Sequence, residues 1–414
     1  MRRRSFALTL PLGLLALSAC DAGADGDAED TGPEGEPTTP PDVTVDPEPI
    51  SIGEPAEPVD VTELRLPLEM TVMIVVDPGW TSAPRERDGI FLGCAEEGDR
   101  LRFIAVDQDG TLLWEAQRPL SCTGFALTAD TDGRAIAVLA DTASSAEAGD
   151  GPPVTTVTAY DLRAAETLWG PTEVSGPPEG QGLVFAASAD EPMDEGGPRI
   201  ALDPGSGEIA LADEDLGDGR ILAEHDGTII HIDGEDLVAL AGDDAAERWR
   251  ITVPAGVGPQ RARIQEQPEL GAGLLVLSDD QGSGALLDLS DGRVIAEDVE
   301  RAAHDHGLDI TVVVAGQVVR GLEAEGQEAW RHEDPEELEL LAAGERLAYA
   351  RRPQEGTLVV LDTGQGMMVS PYDADLSGPL GVPEVFSADA AAAVNMDGPR
   401  YLVTTALDEE FGMR

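Results

Sequence analysis

The segment Arg102 to Ala116 reads RFIAVDQDGTLLWEA, and six worn copies of it follow before the C-terminus. They are VTAYDLRAAETLWG from Val157, PRIALDPGSGEIAL from Pro198, DLVALAGDDAAERW from Asp236, GALLDLSDGRVIA from Gly284, QVVRGLEAEGQEAW from Gln317 and GTLVVLDTGQGMMV from Gly356. Each reads as a hairpin. Two apolar runs flank a short acidic or glycine-containing turn, where Gly accepts positive φ without a Cβ clash. Four of the five tryptophans, Trp114, Trp169, Trp249 and Trp330, stand at the same place in their copies, toward the end of the second run. A hairpin repeated in this way cannot bury both of its faces alone, so the copies must stack on one another.

Stacked short strands with a period of roughly 40 residues form a β-propeller. The fold class is therefore all-β, a propeller of four-stranded blades. Dividing residues 67–414 by about 43 residues per blade gives eight blades, with seven as the second reading. The segments PLEMTVMIVVD, from Pro67, and GPRYLVTTALD, from Gly398, complete the count if the two ends of the chain share one blade. That arrangement pairs edges that would otherwise invite aggregation. The strand, Asp-x-x-Gly-type turn, strand, Trp unit resembles the repeat of pyrroloquinoline-quinone-like (quinoprotein-like) propellers. That group includes quinoprotein dehydrogenases and non-catalytic propeller lipoproteins, so the resemblance implies the fold and leaves activity open.

Residues 1–20 carry Arg2, Arg3 and Arg4, the apolar run FALTLPLGLLAL, and then Leu17-Ser18-Ala19-Cys20. A basic start, a short apolar stretch and small residues before a cut make a secretory signal. Leu-Ser-Ala-Cys is similar to a bacterial lipobox, which makes Cys20 the expected site of lipid attachment. The triple arginine fits both general secretion and twin-arginine export. Between Asp21 and Asp60 lie thirteen acidic residues, eight prolines and no basic residue. Such a composition does not offset its ordering entropy, so residues 21–66 are expected to be a disordered acidic tether. The ASSAEAGDGPP stretch, from Ala143, reads as a loop inserted between strands.

All 26 basic residues are arginine. Without lysine there is no Walker lysine, Schiff-base lysine or lysine general base. Beyond residue 20, 23 arginines face 81 acids, a formal net charge of −58. That charge opposes direct binding of nucleic acid or anionic headgroups.

Asp373, Asp375, Ser377, Gly378, Leu380 and Glu384 match the spacing of a calcium loop, with oxygen ligands at one, three, five and twelve. Flanking helices are missing from the pattern, so calcium stays a weak candidate, and no metal is assigned. His304 and His306 alternate about Asp305, which on a strand puts both rings on one face; two ligands are too few for a metal site. His225, His231 and His332 stand alone and receive no role. Quinone dehydrogenases of the resembled group use adjacent cysteines beside the cofactor and calcium-ligating amides. Cys94 and Cys122 are 28 residues apart and Asn395 is the only asparagine, so no cofactor residue carries over and no cofactor is expected. In an exported chain with Cys20 acylated, Cys94 and Cys122 are the two remaining thiols and are expected to form a disulfide.

The reading is a lipid-anchored extracytoplasmic propeller, a non-catalytic scaffold for a protein or glycan, monomeric and held at the outer face of the cytoplasmic membrane through Cys20. The alternative is a divergent quinone-dependent dehydrogenase or carboxylate-based hydrolase. An outer-membrane assembly role, known of one lipoprotein in the resembled group, is given no weight because Asp21 follows Cys20 and nothing in the sequence indicates a second membrane.

Overall fold

The structure is a computed structural model that describes residues 48–120, 122, 124–142, 154–187, 197–265, 270, 273–279 and 284–407. The signal segment with Cys20, the tether up to residue 47 and the ASSAEAGDGPP insertion lie outside the described residues.

Eight antiparallel sheets follow one another along the chain as the blades of a propeller. From the inner strand outward, the first blade is Arg85–Arg87, Ile90–Glu97, Arg100–Asp107 and Thr111–Pro119. The second runs from Gly124–Ala129 to Thr167–Val174, the fourth from Arg220–His225 to Glu247–Thr252, and the fifth from Arg263–Ile264 to Val294–Glu297. The sixth runs from Arg301–Asp305 to Glu328–Glu333 and the seventh from Glu339–Gly344 to Met368–Val369. Each of the seven repeated hairpins forms the two outer strands of one of the first seven blades. The eighth blade is Val382–Phe386, Ala392–Asn395 and Arg400–Leu407, completed on the outside by Met73–Trp80. Val75 faces Val403 and Val76 faces Leu402 across that last ladder, so the two ends of the chain close the ring as expected.

Both faces of a blade are buried, and the period-2 alternation of a strand therefore feeds two different interfaces. Phe103 and Ala105 pack with Leu139 and Tyr160 of the second blade. Their neighbours Ile104 and Val106 pack with Ala393 and Leu402 of the eighth. This explains why the strands read as continuous apolar runs. A one-residue slip would exchange the two sets.

The tryptophans lock each blade to the next. On outer strands, Trp114 Nε1 donates to Leu162 O at 2.7 Å, Trp169 to Pro204 O at 2.7 Å and Trp249 to Leu289 O at 2.6 Å. Trp330 makes the same bond to Thr363 O. Each acceptor sits in the outer turn of the following blade. The fifth tryptophan, Trp80 on the closing strand, donates to Ile104 O at 3.1 Å and so carries the device from the eighth blade to the first. The turns receiving Trp169 and Trp330 hold Gly207 and Gly366, where an added Cβ would lie 2.3 Å from the ring.

Two features depart from the sequence reading. The third blade has three strands, Val184–Ala186, Arg199–Leu202 and Ile209–Ala212, and its inner strand is reduced to a single bridge between Pro178 and Phe185. Pro177 and Pro178 have no N–H to give to a ladder. The tether also ends earlier than residue 66. Ile50–Pro55 lies as a fifth strand on Thr111–Pro119 of the first blade, and Leu64 and Leu66 are buried against the seventh and eighth blades. Acidic composition marked this stretch as unstructured, but its backbone pairs with an open edge and its two leucines enter the core.

Candidate functional site

The turns that leave the inner strands meet at one end of the ring. There a cavity of about 440 Å³ is lined by Glu86, Arg87, Gln108, His225, Asp226, His306 and Asp389, drawn from the first, fourth, sixth and eighth blades. Arg87 of the first blade reaches Asp226 of the fourth at 2.6 Å, an ion pair across the ring. Gln108 Nε2 donates to Asp389 at 3.0 Å. His225 and His306 are both held below the ordinary imidazole pKa, chiefly by burial, so they are neutral at pH 7.

The buried acids around this mouth hold turns and blades together. Glu224, fully enclosed, accepts from Thr128 Oγ1 at 3.0 Å, Leu183 N at 3.0 Å and Gly227 N at 2.8 Å, which ties the second, third and fourth blades. Asp305 accepts from Gly307 N at 3.0 Å and Arg346 N at 3.0 Å, and from the Thr363 hydroxyl. Glu86 accepts from Gly89 N at 2.7 Å. Burial pushes the Glu86 and Glu224 carboxyls up to about 7, and for Glu224 it outweighs three donors that favour the ionised form. Since an unfolded Glu titrates near 4.3, the stability each lends when protonated is fully present below about pH 4.3 and is lost as pH rises through about 7. Urea midpoints should therefore fall between pH 5 and pH 8, and Glu224→Gln should make that fall shallower. Parallel profiles would exclude the assignment.

His304 and His306 do come together, with ring centroids 4.7 Å apart and edge to face. His304 is buried on its strand, with Nδ1 3.0 Å from Thr311 Oγ1, while His306 faces the cavity. Among the described residues no group of three or more His, Cys, Asp or Glu is placed to hold a metal. The calcium-loop candidates separate. Asp373 accepts from Asp375 N at 2.8 Å in an exposed turn with Ser377. Glu384 lies on the inner strand of the eighth blade, its carboxylate taken by Arg400 Nε at 2.8 Å and Asn395 Nδ2 at 2.6 Å. In a chain with 81 acids the spacing arose without a shared site.

The expected Cys94–Cys122 bridge is not formed, and both residues are free thiols. Cys94 Sγ lies 3.1 Å from Ser82 Oγ, whereas Cys122 Sγ turns to Ala140 O. They border the same apolar cluster with their sulfurs engaged elsewhere. Burial pushes the Cys122 thiol up to about 12, well away from a reactive thiolate. Of the cavity residues, sequence spacing had singled out only His306. His225 carried no local signal, because only the ring brings Arg87 to its neighbour Asp226.

The fold, with its repeated hairpin and tryptophan lock, defines a pyrroloquinoline-quinone-like β-propeller of eight blades. The chain belongs to the family described as outer membrane protein assembly factor BamB, whose model matches residues 153–377, more than half of the sequence. Among solved structures, BamB from Moraxella catarrhalis is 14% identical over 79% of this chain and 97% of that one, with a TM-score of 0.47. A europium-containing methanol dehydrogenase is 12% identical over 77% of this chain and 83% of that one, with a TM-score of 0.37. No curated protein matches.

Proposed function

We propose that the protein is a non-catalytic, lipid-anchored extracytoplasmic propeller that binds and positions a protein partner. The observation that carries this reading is membership of a family described as an assembly factor, across most of the blades. The geometry supports it. Of the carboxylates that line the mouth, Glu86 accepts from Gly89 N, Asp226 pairs with Arg87 and Asp389 accepts from Gln108. Cross-linking in intact cells followed by purification should enrich a discrete protein partner. Turnover in a dye-linked dehydrogenase assay with quinone and calcium would overturn the reading.

The anchor is Cys20 in the lipobox-like Leu-Ser-Ala-Cys, and the proposed location is the outer face of the cytoplasmic membrane. One acyl chain holds a protein marginally and two hold it stably. Cys20→Ser should move the protein from the membrane pellet to the soluble fraction. A variant that stays in the pellet until detergent is added would show that the anchor lies elsewhere.

A further inference from the structure

At the end of the ring opposite the Glu86 mouth, the inner strands begin and the second strands of the blades end. A second cavity, of about 650 Å³, opens there between the sixth, seventh and eighth blades. Its floor is aliphatic, with Leu340, Leu341, Leu380 and Val382, and its rim carries Arg301 and Arg351. Volumes of this order suit a small ligand with a few placed polar contacts.

The charges on that rim are unusual for a chain with a formal net charge of −55. Arg301 Nη2 lies 3.2 Å from Glu339 Oε1. Arg351 stands directly across the ladder from the same Glu339. Glu339 is thus paired with Arg301, while Arg351 beside it has no ion-pair partner among the described residues. Glu384, which also borders the cavity, is already neutralised by Arg400 at 2.8 Å. Asp397 is the remaining rim acid, at the exposed turn after the second strand of the eighth blade.

We propose that this cavity binds a carboxylate borne on an apolar body, with the aliphatic part on Leu340, Leu341, Leu380 and Val382 and the carboxylate on Arg351 and Arg301. A guanidinium offers a planar pair of donors that matches a carboxylate, and Arg351 makes no ion pair among the described residues. Both the free C-terminus of an apolar peptide and a fatty acid carry this chemistry. The proposal does not rest on the scaffold reading, because it concerns a small-ligand cavity and is tested without any partner protein.

The test is isothermal titration of the purified protein with acetyl-trileucine as the free acid, with its C-terminal amide, and with decanoate below its micelle concentration. Binding of the free acid at least about tenfold tighter than the amide is expected, the size of a charge-assisted hydrogen bond. Stronger binding of acetyl-trileucine than of decanoate identifies a peptide terminus as the source, and the reverse order a fatty acid. Arg351→Gln and Arg301→Gln should each weaken the acid by about tenfold and leave the amide unchanged, while Arg331→Gln, on the outer strand of the sixth blade, should change neither. Arg351 is exposed, so its variant should fold normally, which circular dichroism checks. Equal affinity for acid and amide, no binding of either carboxylate at millimolar concentration, or an unaffected Arg351→Gln variant would each overturn the proposal.

Discussion

Replacing Arg118 by Met is expected to cost about 3–5 kcal/mol of stability, read as a large drop in the urea midpoint. The Arg118 side chain is fully enclosed at the join of the first and second blades, where Nε lies 3.1 Å from Asp141 Oδ2. Nη2 donates to Tyr160 OH at 2.9 Å, and Nη1 donates to Gln117 O at 2.9 Å. Asp141 is almost as deeply buried, so the variant would leave a carboxylate in an apolar layer without its counter-ion. The cost comes from that stranded charge. The double variant Arg118→Met with Asp141→Leu should accordingly recover most of the loss, because it removes both desolvation penalties and restores apolar contact. A double variant as unstable as the single one would show that the guanidinium acts mainly through Tyr160 and the backbone.

Deleting residues 67–80 should have a still larger effect. The segment supplies the outer strand of the eighth blade and buries Met70, Val75, Val76 and Trp80. At roughly 1.5–3 kcal/mol for each large apolar side chain, the loss approaches the 5–15 kcal/mol that holds a typical domain together. It also bares the edge of Arg400–Leu407 to other chains. The expected result is a protein that aggregates and has lost its cooperative unfolding transition, with partial rescue by a peptide of residues 67–80 added during refolding. A soluble, cooperatively unfolding deletion variant would show that the ring does not need this closure.

Much of the architecture was legible because the outer hairpins carry strong local chemistry: an acidic or glycine turn, two apolar runs and a tryptophan at a constant place. The inner strands carry less. Arg85–Arg87 and Arg263–Ile264 are three and two residues long, too short for any periodicity. Pro177-Pro178 erased the inner strand of the third blade, and no compensating pattern marks the loss. Trp80 looked unlike the other four tryptophans because its strand precedes the first repeat and joins the last blade.

The site was less legible than the fold for a related reason. Arg87 and Asp226 meet only when the second and third blades are stacked between them, and neither has a distinctive neighbourhood in the chain. Glu384 failed in the opposite way. It sat at the right spacing from Asp373 and Asp375, but the strand that carries it turns the carboxylate toward Arg400. Local spacing reads well where a motif closes within one hairpin, and poorly where ring geometry chooses the partners.

Closure also sets a timetable for synthesis. The Thr404 hydroxyl donates to Ile74 O at 2.9 Å, a contact between residues 330 positions apart. A chain made at about 5–20 residues per second keeps Met73–Trp80 waiting on the order of tens of seconds for the strand it must join. During that interval the apolar strand ending in Trp80 has the first blade beside it but not its ladder partner Arg400–Leu407, and each blade completed behind it brings that partner nearer without supplying it. Stacking of the intervening blades holds the ends close, so the final pairing costs far less entropy than 330 free residues would impose. The outer strand of the eighth blade is thus, after Ile50–Pro55, the earliest strand to be synthesised and among the last to be protected, which makes it the place where a holdase would do most for the yield of folded protein.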